Sequence, residues 1–216
     1  MKNKKYILFD LDGTLTNSAP GITNCVKYAL EKTGHPIPPY SVLKKFIGPP
    51  LLDGFMEYTG LTEKDARDAV SAYRERYRDI GIFENEVYEG VPELLESLNA
   101  VGKTLILATC KPKVFADRIL RHFGLDSYFL FTVGAELDGR FSYKNEVISE
   151  VIRRGNIQNK SEMVMIGDRH HDIDGAKQTC IQSIGVSYGF AENGELEKAG
   201  ADAIADSPLA LKNMLI

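Results

Sequence analysis

The 216-residue sequence has few of the features that mark secreted, membrane or nucleic-acid-binding proteins. Its three cysteines are an odd number without metal-ligand spacing, which favours a reducing compartment. No window is long and apolar enough to predict a membrane span. The net charge of −4 argues against a nucleic-acid-binding surface, although it is compatible with a local cationic site. We therefore predict a cytoplasmic protein that binds neither membranes nor nucleic acid.

The basic N-terminus is not expected to begin a signal peptide. The apolar stretch that follows it, residues 6–9, is interrupted by Asp10 and Asp12, too early for a secretory apolar region. Internal repeats and low-complexity segments are absent as well. With 44% hydrophobic and 26% charged residues, the chain has the composition of a globular protein that buries a substantial core.

Short apolar runs alternate with amphipathic segments over most of the chain. Such alternation predicts right-handed crossovers and a mainly parallel, Rossmann-like α/β sheet with helices on both faces. The predicted strands are residues 6–11, 104–109, 128–133, 163–166, 183–186 and a weak strand near 203–204. The predicted helices between them are residues 92–100, 112–123, 145–154 and 174–179.

A helical block separates the first strand from the rest of the sheet. Residues 17–84 show helical periodicity and no convincing strand, and Thr62 with Asp65 is typical of a helix N-terminus. We therefore predict an α/β core formed by residues 1–16 and 85–216. The block 17–84 is predicted to be a small all-helical cap domain inserted after strand 1.

Polar side chains follow the carboxyl ends of the predicted strands, where ligands bind in open parallel sheets. Carboxylates that are crowded together repel one another unless a cation is present, and an oxygen-only ligand set favours Mg²⁺. A lysine and a hydroxyl beside that ion form a cradle for phosphate oxygens. The pattern therefore predicts a phosphoryl-transfer site. The residues that we expect at this edge are Asp10, Asp12, Thr109, Lys144, Asp168 and Asp172.

Two carboxylates of this set are candidates for the catalytic steps. A metal-bound Asp10 stays ionised and is suited to attack phosphorus. Asp12 lies two residues further on, in a turn, from which it would reach the leaving-group oxygen. There it would protonate that oxygen and later deprotonate the attacking water.

The four segments that carry these residues resemble the motifs of the haloacid dehalogenase superfamily of phosphatases. The first is Asp10-Leu11-Asp12-Gly13-Thr14, the second is Thr109, the third is Lys144, and the fourth is Gly167-Asp168-Arg169-His170-His171-Asp172. They occur in the superfamily's order, and the helical insertion after the first motif resembles its small helical cap. The resemblance covers essentially the whole chain.

This resemblance implies a role for each matching residue. Asp10 would be the nucleophile and Asp12 the general acid and base. Mg²⁺ would be held by Asp10, the backbone carbonyl of Asp12, and Asp168. The remaining roles are support of the metal site by Asp172 and binding of the phosphoryl group by Thr109 and Lys144.

Within the superfamily the chain looks most like phosphoglycolate phosphatases and their relatives described as 5′-nucleotidases. The segments 17–22, 47–50 and 88–95 carry that likeness, and the run 167–177 favours the nucleotidase branch. Relatives usually have Asn after the second-motif Thr, whereas this chain has Cys110. Its backbone amide still suits phosphate, so Cys110 is included among the predicted substrate-binding residues. The expected partner is a small phosphorylated metabolite, and the expected state is a monomer or weak homodimer.

Other interpretations of the same residues remain open at this point. The alternatives are that Asp12 is a turn former, Lys144 a solvated helix-start residue, and Asp172 the N-cap of the following helix. Adjacent histidines do not face one ligand, so His170 and His171 are expected in a loop near the site rim. At the level of function, the alternatives are a sugar-phosphate mutase and a receiver-like phospho-acceptor module.

Overall fold

The computed structural model describes all residues, Met1–Ile216, and its contacts divide the chain into two compact units. The first unit consists of Met1–Thr16 and Val87–Ile216, and the second of Asn17–Glu86. The second division falls two residues later than the boundary expected from sequence at 84/85. It coincides with a short strand pair formed by Thr16–Asn17 and Glu86–Val87.

The first unit is built on a six-stranded sheet in which every neighbouring pair is parallel. In chain order the strands of the molecule are β1 (Tyr6–Phe9), β2 (Thr16–Asn17), β3 (Glu86–Val87), β4 (Thr104–Pro112), β5 (Phe131–Ala135), β6 (Met163–Gly167), β7 (Gln182–Val186) and β8 (Ala203–Ala205). The spatial order of the large sheet is β5-β4-β1-β6-β7-β8, and β2 pairs with β3. The predicted α/β fold with a mainly parallel sheet is confirmed.

Ten α-helices accompany these strands. Those of the second unit are α1 (Ala19–Lys32), α2 (Tyr40–Leu43), α3 (Leu51–Thr59) and α4 (Glu63–Asp79). Those around the large sheet are α5 (Val91–Ala100), α6 (Lys113–His122), α7 (Lys144–Arg154), α8 (His170–Gln178), α9 (Glu195–Ala199) and α10 (Pro208–Leu215). None of them is both long enough and apolar enough to cross a membrane.

The central strand β1 determines where the site lies. Its residues Ile7, Leu8 and Phe9 are fully buried, as expected for a strand covered on both faces. Phe9 is paired with Leu107 on one side and Ile166 on the other. The residues that follow these three positions therefore emerge together at the carboxyl edge of the sheet.

The second unit is helical, and its longest helix begins where the sequence indicates. The hydroxyl oxygen of Thr62 accepts a hydrogen bond from the backbone N–H of Asp65, which confirms the predicted N-terminus of α4. Its apolar side packs through buried residues such as Ala66, Ala69 and Tyr73.

Several element boundaries differ from the prediction, and β4, for example, extends to Pro112 rather than to residue 109. The strand expected from residue 128 begins at Phe131, because Asp126–Tyr128 form a 3₁₀ turn. Helix α7 begins at Lys144, one residue earlier than expected. Helix α8 begins at His170 rather than at 174, so the expectation that His170 and His171 lie in a loop is wrong.

Candidate active site

Asp10 follows β1 directly and is the centre of the site. Its backbone N–H donates to the carbonyl of Ile166 at 2.9 Å, which ties it to the end of β6. Its Oδ1 lies 3.0 Å from Nζ of Lys144. Burial raises the pKa of Asp10 to about 6, although the Lys144 charge and a hydrogen bond from the Thr109 hydroxyl favour the ionised form.

Two more carboxylates from the end of β6 and the start of α8 converge on Asp10. One ligand oxygen from each of Asp10, Asp168 and Asp172 lies within 4.8 Å of the others. Asp168 is completely buried, and its Oδ2 accepts a hydrogen bond of 2.7 Å from the backbone N–H of Phe190. Its Oδ1 is buried without a hydrogen-bond partner. Burial, followed by the charges of Asp172 and Asp10, raises the pKa of Asp168 well above its ordinary value.

Lys144 is the cation at the centre of this acidic cluster. Its Nζ lies 2.7 Å from Oδ1 of Asp172 and 3.0 Å from Oδ1 of Asp10, and it donates to the carbonyl of Ala108 at 3.0 Å. The residue is only 5% exposed, so the interpretation of Lys144 as a solvated helix-start residue is wrong. Burial opposes its charge, but the two carboxylates outweigh burial and raise the pKa of Lys144.

Two glycines allow the carboxylates to approach the backbone so closely. Gly13 has φ +82°, and a Cβ at this position would lie 2.0 Å from Oδ2 of Asp168. A Cβ at Gly167 would lie 2.0 Å from Cγ of Asp172. A side chain at either position would therefore displace a carboxylate of the cluster, and Gly13 also provides the left-handed backbone of the turn.

Asp172 is not the N-cap of α8. The N-cap position is Arg169, and Asp172 is the third helical residue. Its Oδ2 accepts a hydrogen bond of 3.1 Å from the backbone N–H of Arg169, while its Oδ1 faces Lys144. The carboxylate thus satisfies an otherwise unpaired donor of the first helical turn and also belongs to the acidic cluster.

Asp12 has a partner that sequence reasoning missed. Nζ of Lys111 donates to both carboxylate oxygens of Asp12, at 2.7 and 2.9 Å, and both side chains are largely buried. Lys111 follows Thr109 by two residues, and its backbone N–H donates to the Thr109 hydroxyl at 3.2 Å. Alternation along a strand places residues two apart on the same side, so this spacing was the available signal.

Cys110 lies next to Thr109 at the site, while the two histidines are not among the residues whose ligand atoms meet. Burial raises the pKa of Cys110 to about 12, so its thiol stays neutral, and its side chain packs from β4 against the core. The rings of His170 and His171 lie 3.8 Å apart, and Nδ1 of His170 is 2.9 Å from Glu195. Burial lowers the pKa of His171 to about 4. Neither histidine joins the three aspartates whose oxygens meet.

This donor set suits a hard divalent cation. Three carboxylates face one another with a single ammonium group among them, so their summed charge is negative when all are ionised. The buried Oδ1 of Asp168 has no protein donor, although a buried carboxylate oxygen normally has a partner. All potential ligands are oxygens, as Mg²⁺ prefers. The residues present therefore fit a bound Mg²⁺ ion.

Comparison of the sequence with profiles of known protein families identifies the family of this chain. The sequence profile described as haloacid dehalogenase-like hydrolase matches residues 7–186. The chain therefore belongs to the haloacid dehalogenase-like hydrolase family. This result agrees with the resemblance found in the four sequence motifs, and it supports phosphatase activity.

Individual relatives extend over nearly the whole chain. A 5′-nucleotidase of Pseudomonas aeruginosa is 47% identical over 190 residues, which are 88% of this chain and 86% of the relative. A crystal structure of a predicted phosphatase from Clostridium acetobutylicum has a TM-score of 0.93 and 46% identity, and covers 98% of this chain and 97% of that chain.

Two further relatives carry other names. The tyrosine-protein kinase PtkA of Mycobacterium tuberculosis is 34% identical over 203 residues, covering 94% of this chain and 69% of the relative. A phosphoglycolate phosphatase of Vibrio parahaemolyticus is 27% identical over 211 residues, covering 94% of this chain and 92% of the relative. The likeness to the 5′-nucleotidase and phosphoglycolate phosphatase groups is confirmed.

Proposed function

We propose that this protein is a Mg²⁺-dependent phosphatase that hydrolyses small phosphate monoesters through an aspartyl-phosphate on Asp10. The observation that carries the proposal is the convergence of Asp10, Asp168 and Asp172 around Lys144 at the end of the central strands. Phosphoryl transfer is catalysed mainly by positioning and charge neutralisation, and this arrangement provides both.

In the first chemical step, a carboxylate oxygen of Asp10 forms a bond to phosphorus while the bond from phosphorus to the ester oxygen breaks. Asp12 donates a proton to the leaving oxygen, which departs as an alcohol. Lys144 neutralises charge beside the nucleophile, and the Thr109 hydroxyl with the Cys110 amide binds phosphoryl oxygens. Lys111, which contacts Asp12 directly, belongs to the same site.

The second step returns the enzyme to its starting state. Asp12 accepts a proton from a water molecule whose oxygen forms a bond to phosphorus, and the bond between phosphorus and Asp10 breaks. Inorganic phosphate leaves, and Asp10 is again a free carboxylate. Because the same residue gives and takes the proton, Asp12 must face the site in both steps.

The cation would be held by Asp10, the backbone carbonyl of Asp12, and Asp168, with Asp172 supporting them through Lys144. When bound, Mg²⁺ supplies positive charge that keeps the nucleophile ionised and offsets the charge of the phosphoryl oxygens. A cation held there would be a partner for the buried Oδ1 of Asp168, which has no hydrogen-bond donor in the protein. Without the cation, burial disfavours the ionised form of Asp10 that the first step requires.

The substrate is proposed to be phosphoglycolate or a nucleoside monophosphate, in line with the names of the relatives. The helical unit, Asn17–Glu86, is proposed to be the cap domain expected from the sequence. A screen of phosphoglycolate, nucleoside monophosphates, pyrophosphate and sugar phosphates tests the substrate assignment. Turnover at least about ten times faster, in kcat/KM, for one of the first two classes would support it.

Release of phosphate from an aryl phosphate tests the activity itself. We expect release that needs Mg²⁺, continues for many turnovers and disappears in Asp10→Asn, while the exposed Asp68→Asn variant is unchanged. A single turnover would favour a phospho-acceptor module instead, and sugar isomerisation without phosphate release would favour a mutase. Transfer from ATP to a tyrosine peptide, measured in parallel, tests the activity named for the PtkA relative.

A further inference from the structure

The carboxylate of Glu195, at the start of α9, joins two segments of the chain. Its Oε1 accepts hydrogen bonds of 2.9 Å from Nε of Arg169 and the backbone N–H of His170, and lies 2.9 Å from Nδ1 of His170. Its Oε2 accepts a hydrogen bond of 2.9 Å from the backbone N–H of Glu192. One carboxylate therefore fastens the loop after β7 to the residues directly after Asp168.

That loop also covers Asp168. The backbone N–H of Phe190 donates to Oδ2 of Asp168 at 2.7 Å. A Cβ at Gly189 would lie 2.4 Å from Cβ of Asp168 and 2.3 Å from the carbonyl of Gly13, so the backbone here is in close contact with both neighbours. The hydroxyl of Tyr188 donates to the carbonyl of Thr14 at 3.0 Å. The loop thus holds one oxygen of Asp168 and leaves the other, Oδ1, without a protein donor.

We infer that Glu195 is a positioning residue that fixes the orientation of Asp168 toward a bound divalent cation, acting through the 187–192 loop. Glu195 holds Glu192, at the end of the 187–192 loop, and His170, close after Asp168. The same loop contains Phe190, whose backbone N–H donates to Asp168. With that amide in place, Oδ2 is occupied and Oδ1 is the oxygen free to bind the ion. Outer contacts of this kind commonly tune metal affinity. The inference rests on the proposed function, since it assumes a cation at the three aspartates.

The strength of the contact set at Glu195 argues against a loose surface interaction. Its side chain is only 12% exposed. Burial alone would raise its pKa, but the hydrogen bonds from His170, Glu192 and Arg169 outweigh burial and lower the pKa of Glu195 to about 2. Glu195 is therefore a charged acceptor throughout the pH range in which the protein would be assayed. Glu197, two residues away on the same helix, is exposed and provides a matched control.

Binding of Mn²⁺, titrated against the metal-free full-length protein by electron paramagnetic resonance, tests the inference directly. We expect the dissociation constant to rise on the order of 10-fold in Glu195→Ala. A smaller rise is expected in Glu195→Gln, which keeps one acceptor oxygen, and none in Glu197→Ala. At saturating Mg²⁺ the activity of Glu195→Ala should be close to that of the wild type. The defect should appear as a higher Mg²⁺ concentration for half-maximal rate and not as a lower kcat.

Amide hydrogen exchange at Phe190 provides a second readout that does not depend on metal. Exchange should be faster in Glu195→Ala while the amides of β1 and β6 keep their protection. Unchanged Mn²⁺ affinity in both Glu195 variants would overturn the inference, as would weaker binding with undiminished protection at Phe190. If Glu195→Ala does not fold, Glu195→Gln decides by the same criteria. Failure of the wild-type protein to bind Mn²⁺ would instead overturn the proposed metal site, and this inference with it.

Discussion

The charged cluster at the site of the α/β unit and the ion pair on α4 of the helical unit lie in opposite environments. Around the site, Lys144 and Asp172 have side chains that are 3% and 2% exposed. On α4 of the helical unit, Arg67 and Glu63 form an ion pair whose side chains are 64% and 61% exposed. Exposed pairs cost little to form and contribute little, whereas a buried cluster with more carboxylates than cations opposes folding. The buried cluster is therefore best explained by the chemistry that it serves.

Substitution of Asp10 in the buried cluster should have the largest effect on activity. Asp10→Asn removes the nucleophile, and we expect phosphate release to fall on the order of 10⁴-fold. The fold should remain, because the substitution removes a buried charge without changing the size of the side chain. Steady-state assays with an aryl phosphate measure the loss, and Asp68→Asn on the helical unit controls for the change in net charge.

Removal of Lys144 should affect both activity and stability. Lys144→Met leaves Asp10 and Asp172 facing each other without their shared cation, and breaking a buried pair in this way costs about 3–5 kcal/mol. We expect a lower urea midpoint for the metal-free protein and a loss of phosphatase activity of at least about 100-fold. An unchanged urea midpoint would show that repulsion between Asp10 and Asp172 does not destabilise the folded protein when the charge of Lys144 is absent.

A smaller, substrate-dependent effect is expected at Lys111. Lys111→Met frees the carboxylate of Asp12 from both of its short contacts but leaves the nucleophile and the acidic cluster intact. Proton donation matters most for poor leaving groups, so kcat/KM for an alkyl phosphate should fall about 10-fold more than for an aryl phosphate. Equal losses for the two substrates would assign Lys111 to phosphate binding rather than to positioning of Asp12.

The pH dependence of stability should distinguish the metal-free and metal-bound proteins. In the metal-free state the pKa of Asp10 is raised from 3.8 to about 6, and that of Asp168 is raised as well. At Asp10 the folded state then binds more protons than the unfolded state, so the contribution of Asp10 to stability is present below pH about 4 and is lost as pH rises through about 6. We expect Asp10 to contribute a loss on the order of 1–3 kcal/mol. Urea unfolding across this range should show it, and Asp10→Asn or added Mg²⁺ should reduce it.

The smallest effect is expected on the helical unit. Glu63→Gln breaks the exposed pair with Arg67, one helical turn apart, and should shift Tm by no more than about 2 °C. Activity should be unchanged. A loss of stability in Glu63→Gln as large as that in Lys144→Met would contradict the distinction between the buried cluster and the exposed ion pair.

The positions at the strand ends were predictable, because each follows a short apolar run in the sequence. Asp10, Thr109 and Asp168 emerge next to one another for that reason alone. The start of α8 was not predictable, because its N-cap residue is Arg169, which is not a usual N-cap residue. The carboxylate that accepts from the Arg169 backbone N–H belongs to Asp172, the third residue of the helix. Glu195 was also missed. Glu195 and Arg169 are 26 residues apart in the sequence, and no local sequence pattern predicts a contact at such a separation.

The covalent role of Asp10 is central to the proposed mechanism, and mass spectrometry of acid-quenched enzyme tests it most directly. During turnover of an aryl phosphate with Mg²⁺, the peptide that contains Asp10 should gain the mass of one phosphoryl group, and Asp10→Asn should show no such species. Phosphorylation of a different residue, or full turnover by Asp10→Asn, would contradict the assignment of Asp10 as the nucleophile.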